Sequence, residues 1–349
     1  MHADPLHSMI PLERYRQLLG VLVTEKDTWD DTFWLRFAAQ VAVLSPESPT
    51  VLARRIREVA DALLKHSPWY HTLASPVRFV VAAMLIQYHI PVADFVAEHA
   101  HVSDLMSKVG LRHDRFYEII TVIILLITPG HRSTSMVDIE RLKALYDQMK
   151  GFHWWLTGPD DLPACAALAQ CEGTAEELGA RVEGAYQQLK AAGGLAGDHL
   201  QTAANLLPLA GPDLDRTVER YHALAATLAA RCGQLTEDYY DPLALLTLLD
   251  HAPLLVIDRL MAVIQELDLF QPEGQGAANI LIACDLTVLD LVRCDLNQMP
   301  HTQPAAAAAM LRALHAFHLA SAVLVSQVDP GRVLLADGSA APAWPYPYL

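Results

Sequence analysis

The densest collection of reactive and recognition-type side chains is the run Phe152-His153-Trp154-Trp155-Leu156-Thr157-Gly158-Pro159-Asp160-Asp161. Two tryptophans beside a histidine and paired carboxylates could build an aromatic-walled site with acid–base capacity. The same residues also have a structural use, which is the favoured one. Asp161 can cap the helix that Pro163 helps to start, Gly158-Pro159 can make a turn, and the indole rings can fill the gap between helical layers.

A second group sits at helix starts. His113-Asp114, Asp198-His199 and Glu273 would share one rim if their helices stack, and converging carboxylates and imidazoles can hold a divalent metal. The helix dipole favours acidic residues there without any ligand. Capping is therefore preferred, and no metal or other cofactor is assigned. Gln201 and Asn205, four apart, could reach a shared ligand or satisfy buried backbone groups. Among the 16 histidines, His99 and His101 are two apart and cannot share a helix face. His315 and His318 are three apart but lack an acidic or cysteine partner nearby. The chain contains no H-E-x-x-H, G-x-S-x-G, P-loop or dinucleotide fingerprint. Common serine hydrolases, P-loop NTPases and Rossmann dehydrogenases fit it poorly. The candidate ligand-binding residues are His153, Trp154, Trp155, Asp160, Asp161, His199 and Gln201; no catalytic residue is assigned.

These side chains need helices to position them, and the helical pattern returns roughly every 80 residues. Ser75-Pro76-Val77, Asp161-Leu162-Pro163 and Asp241-Pro242-Leu243 each open a short apolar helix. A longer amphipathic helix follows each, near 92–108, 174–192 and 253–268, with apolar residues at three- and four-residue steps. Third helices are expected over 116–127, 200–209 and 277–282, and fourth helices over 136–149, 212–231 and 286–297. Asp31 to Leu44 and Thr50 to Lys65 fit the scheme loosely, and a last helix is expected over 305–326. The fold class expected is all-α: stacked antiparallel helix pairs, like an α-solenoid, with an uninterrupted hollow face. Residues 1–330 form one domain, with 151–159 as the best internal boundary. Residues 331–349 form an extended tail, in which Asp337-Gly338 suits a small hairpin and the prolines of Trp344-Pro345-Tyr346-Pro347-Tyr348 impose a polyproline-like form. That aromatic tail is expected to strap onto the protein's own surface.

Composition narrows the partners. Apolar residues make up 52% of the 349 and charged residues 19%, as in an interior-rich globular protein. A net charge of −15 disfavours nucleic acid. The small basic cluster Arg54, Arg55, Arg57 is expected on a solvated face. Five cysteines without a C-x-x-C pair suit reduced thiols. No signal peptide is evident, and the longest apolar run, Ile119 to Ile127, is far short of the ~20 residues that cross a bilayer. A cytoplasmic protein with no membrane partner is expected. Arginine outnumbers lysine 19 to 6, a usage that hints at a GC-rich bacterial genome.

Leu156-Thr157-Gly158-Pro159-Asp160-Asp161-Leu162-Pro163, running into Ala166-Ala167-Leu168-Ala169, resembles the central motif of a bacterial family, domain of unknown function 4003. Tyr186 with Leu189, Gly194-Leu195, Leu200-Gln201, Leu206-Leu207 and the Arg78-Phe79 to Leu85 helix extend the resemblance over about 25–330. Leu162 departs from the tyrosine favoured there. The resemblance implies a helical bacterial protein and no particular activity, cofactor or substrate. A protein- or peptide-binding scaffold is the leading functional expectation; a small-molecule or metal-dependent enzyme with a site around 152–161 is the alternative.

Overall fold

Two kinds of helix alternate along the chain because they meet two kinds of surroundings. A computed structural model describes residues 10–27, 30–66, 73, 75–111, 115–127, 133–270, 276–298 and 304–328, with backbone alone at Arg115, 296–298 and 304–310. Expectations for His113-Asp114, Glu273 and the 331–349 tail fall outside these residues. Fifteen α-helices and no strand occur among the described residues. The longer set comprises α1 (Ile10–Thr24), α3 (Pro49–Lys65), α5 (Val92–Lys108), α7 (Met136–Phe152), α9 (Ala175–Ala191), α11 (Leu214–Cys232) and α13 (Pro253–Phe270). Each buries one stripe, such as Leu178, Val182, Tyr186 and Leu189 on α9. The intervening set, shorter except for its last member, comprises α2 (Thr32–Val41), α4 (Arg78–Gln87), α6 (Arg115–Leu126), α8 (Leu162–Leu168), α10 (Asp198–Leu206), α12 (Tyr240–Leu246) and α14 (Ala277–Gln298). Every residue of α8 and of α12 is buried. A helix that is apolar all round must be covered all round.

The contacts supply that cover. Each helix of the intervening set packs on the next, and α14 returns to α2. The longer helices form a second ring outside. There Arg16 on α1 pairs with Glu266 on α13, and its guanidinium lies 5.6 Å from the Phe270 ring centre. Neighbouring inner helices begin side by side, as contacts near their N-terminal ends show: Asp30 to Arg78, Asp161 to Gln201, His199 to Asp241 and Arg36 to Asn279. The last described helix, α15 (Pro304–Ser326), runs through the middle against α6, α8, α12 and α14. Its Ser321 reaches Gln40 of α2, and its His318 ring meets Tyr88 just past α4 at 5.2 Å. One cluster of buried apolar side chains extends from Leu12 to Val328.

The all-helical class and the pairing of helices stand. The hollow face does not stay hollow: the stack closes on itself and α15 occupies its axis. Two further differences are local. The separate helices expected over 277–282 and 286–297 are one helix, α14, whose buried Asp285 accepts from Ser321 of α15. Asp161 and Asp241 do not cap α8 and α12; both carboxylates turn toward α10. The basic cluster is only partly solvated, since Arg57 pairs with buried Asp30 at 2.9 Å and donates to the Leu22 carbonyl. No single described helix is long and apolar enough to cross a membrane.

Candidate functional site

After α7 ends at Phe152, the chain turns with the Leu156 and Thr157 amides both bonded to the His153 carbonyl at 3.0 Å. Pro159 then opens a single 3-10 turn that delivers Asp161 into the inner ring. One Asp161 oxygen accepts from the Gly158 amide at 3.1 Å. The other accepts from Gln201 Nε2 and from Asn205 Nδ2, each at 3.1 Å. Gln201 and Asn205 reach the same atom because residues four apart share a helix face. Asp161, Gln201 and Asn205 are all buried. Burial and the neighbouring Asp160 carboxylate push the Asp161 carboxyl up to about 7, against the pull of its three donors. Gln201 Oε1 and Asn205 Oδ1 are buried without a hydrogen-bond partner. A protonated Asp161 has a hydroxyl to offer one of them. This group can therefore hold or release a proton near neutrality.

The other sequence-derived candidates lie elsewhere. His199 Nδ1 stands 2.9 Å from Asp241 Oδ1, and this hydrogen bond holds the imidazole above its ordinary range. Burial pushes Asp241 upward while His199 pulls it down. The raised histidine is the firmer direction, because its half-exposed ring can stay solvated when charged. On the outer face, His153 Nε2 meets Glu183 at 2.7 Å, and its ring lies tilted against Tyr186, 4.3 Å between centres. Trp154 and Trp155 meet edge to face at 5.9 Å and are 71% and 63% exposed, with Phe152 exposed beside them. Asp160 contributes its carbonyl, which accepts from Gln327 Nε2 at 2.9 Å. The structure thus brings Asp161 and Gln201 together, pairs His199 with Asp241, and sets the tryptophans outside the rings. Among the described residues, no three His, Cys, Asp or Glu side chains are placed to hold a metal.

Sequence spacing missed a polar cluster on the axis. Ser321 Oγ donates to Asp285 at 2.6 Å, and Gln40 Nε2 lies 3.5 Å from Ser321 Oγ. With Tyr88 and His318 these residues line a cavity of about 20 Å³, room for about one water. Gln40 Oε1 is buried without a protein partner. Burial pushes Asp285 up to about 7. Burial, with His315 adding to it, lowers His318 to about 4, so its ring is neutral. The sequence signal available was one aspartate inside an otherwise apolar stretch of α14.

Comparison with known proteins places these groups in context. The family model described as "Protein of unknown function (DUF4003)" matches residues 22–295, which include most of both rings and end before α15. "Uncharacterized protein YeaA" of Bacillus subtilis (strain 168) is 25% identical over 199 residues, covering 56% of this chain. The chain spans 60% of the length of that curated relative. No solved structure matches.

Proposed function

The chain belongs to the DUF4003 family of proteins of unknown function, and from that premise we propose that it is a binding protein that docks a protein segment on the Phe152–Trp155 corner. The observation that carries this is the exposure of Trp154 and Trp155, 71% and 63%. Tryptophan is the side chain most enriched where binding energy concentrates, and adjacent large rings left in water mark a contact surface. The corner is also stiff at its base. Glu183 and Tyr186 hold His153, whose ring packs edge to face on Trp155 at 5.9 Å, so little ordering is needed on docking. The partner meets the outside of the rings, since α15 fills the inside. The five free thiols support a reducing, cytoplasmic location.

The test is a paired quantitative pulldown with the full chain and its Trp154→Ala/Trp155→Ala variant. A defined set of proteins is expected to fall about tenfold or more with the variant. Identical recovery by both baits overturns the reading. Acid–base chemistry at Asp161 is a second reading, favoured by a carboxyl that titrates near neutrality. Asp161→Asn would then abolish a turnover that the Trp154→Ala/Trp155→Ala variant retains.

A further inference from the structure

We infer that the occupant of the Trp154–Trp155 corner is a proline-spaced aromatic segment, and that this chain supplies one itself in residues 342–349. The inference rests on the binding reading above and names its ligand class.

Position comes first. Gln327, next to the last described residue, bonds to the Asp160 carbonyl at 2.9 Å. Asp160 follows Trp154 by six residues, so at most about 21 Å of chain separates them. The path from Val328 to Pro342 spans up to about 48 Å when extended. The length of chain after Val328 therefore exceeds what is needed to bring residues 342–349 to the corner.

Chemistry comes second. Residues 342–349 read Pro-Ala-Trp-Pro-Tyr-Pro-Tyr-Leu, and no charged side chain follows Asp337. Proline's ring restricts φ, so a segment in which prolines alternate with aromatic residues has little chain entropy to lose on docking. Aromatic-lined surfaces are the common receptors for such helices. The two indoles stand at 89° to each other and form an apolar angle into which proline and tyrosine rings can pack. Tethering supplies the rest. A segment carried on the same chain meets the corner at an effective concentration of about a millimolar, so even a weak contact fills it. An outside partner must then compete with the tether, and a similar proline–aromatic segment is what it must carry.

The test uses the full chain with p-benzoylphenylalanine in place of Tyr346, irradiated at low concentration and mapped by mass spectrometry. Cross-links from position 346 to residues 150–158 are expected within single chains, and are lost in the Trp154→Ala/Trp155→Ala background. Cross-links elsewhere, or none, overturn the inference. Cross-links only between isotopically distinct chains overturn the intramolecular occupant in favour of a second copy. A second measurement is hydrogen exchange of the Trp344→Ala/Tyr346→Ala/Tyr348→Ala variant. The Leu156 and Thr157 amides are expected to exchange about fivefold faster or more, and an unchanged rate counts against docking. The pulldown separates the two levels. Partner loss without the cross-link sinks the inference alone; the cross-link without partner loss sinks the binding reading.

Discussion

Asp161 illustrates how a buried carboxyl turns position into pH dependence. Its folded value, about 7, lies above the ordinary value for an aspartate. The folded chain thus binds more protons than the unfolded chain between about pH 4 and 7. Stability is expected to fall as pH rises through that window and to level off above it. The upper limit of this contribution is about 4 kcal/mol. Asp161→Asn is expected to flatten the slope and to equal or exceed the parent at pH 8, as urea titrations at pH 5 and 8 will report. Its new amide can donate to the unpartnered oxygens of Gln201 or Asn205. Asp161→Ala instead strips both amides of an acceptor and should cost about 2–3 kcal/mol. His199 has the same sign in a higher pH window. Its hydrogen bond to Asp241 stabilises the fold below the ordinary histidine range and is lost as pH rises through the raised value. Asp241→Asn should return the His199 imidazole to a lower midpoint in an NMR titration. Part of this was legible: the four-residue spacing of Gln201 and Asn205 announces a shared partner. That the partner is Asp161, 40 residues upstream, follows only from packing α8 against α10.

At the level of helices, the sequence is a good guide to where elements start and a poor one to what polar residues do inside them. Pro163 and Pro242 mark helices of seven residues each, too short for periodicity alone to find. Asp285 lies inside a single helix although two were expected there; Ser321 of α15 supplies its buried carboxylate with a hydrogen bond. That cluster gathers residues from α2, α14 and α15 and from the turn after α4, so no spacing announces it. The α1 helix went unanticipated although Leu12, Tyr15, Leu19 and Leu22 keep helical steps. The division of labour between the two rings is measurable. Leu245→Ala on α12 removes a fully buried side chain and should cost about 2–5 kcal/mol. Leu269→Ala on α13 alters a residue 72% exposed and should stay within about 0.5 kcal/mol in the same denaturation series.

For the whole molecule, closure changes how the structure comes apart. An open stack of helix pairs has two free ends and frays from them. Here α1 and α2 meet α13 and α14 through Arg16–Glu266 on the rim and Arg36–Asn279 inside. The rim pair is about 30% exposed on each side and contributes little. The inner contact is buried and matters more. Asn279→Leu should cost about 2–3 kcal/mol, by leaving polar hydrogen of Arg36 short of an acceptor. Hydrogen exchange is expected to protect α2 and α14 as strongly as α8, with one shared opening event. Selective fast exchange at α2 and α14 would indicate that the seam is open in solution.

The helix on the axis is also the last of the fifteen to leave the ribosome. The chain grows at about 5–20 residues per second, so α6, α8 and α12 precede their central partner by some seconds. During synthesis the keystone arrives after the stones it locks, and until it does the apolar faces it will cover are open to chaperones.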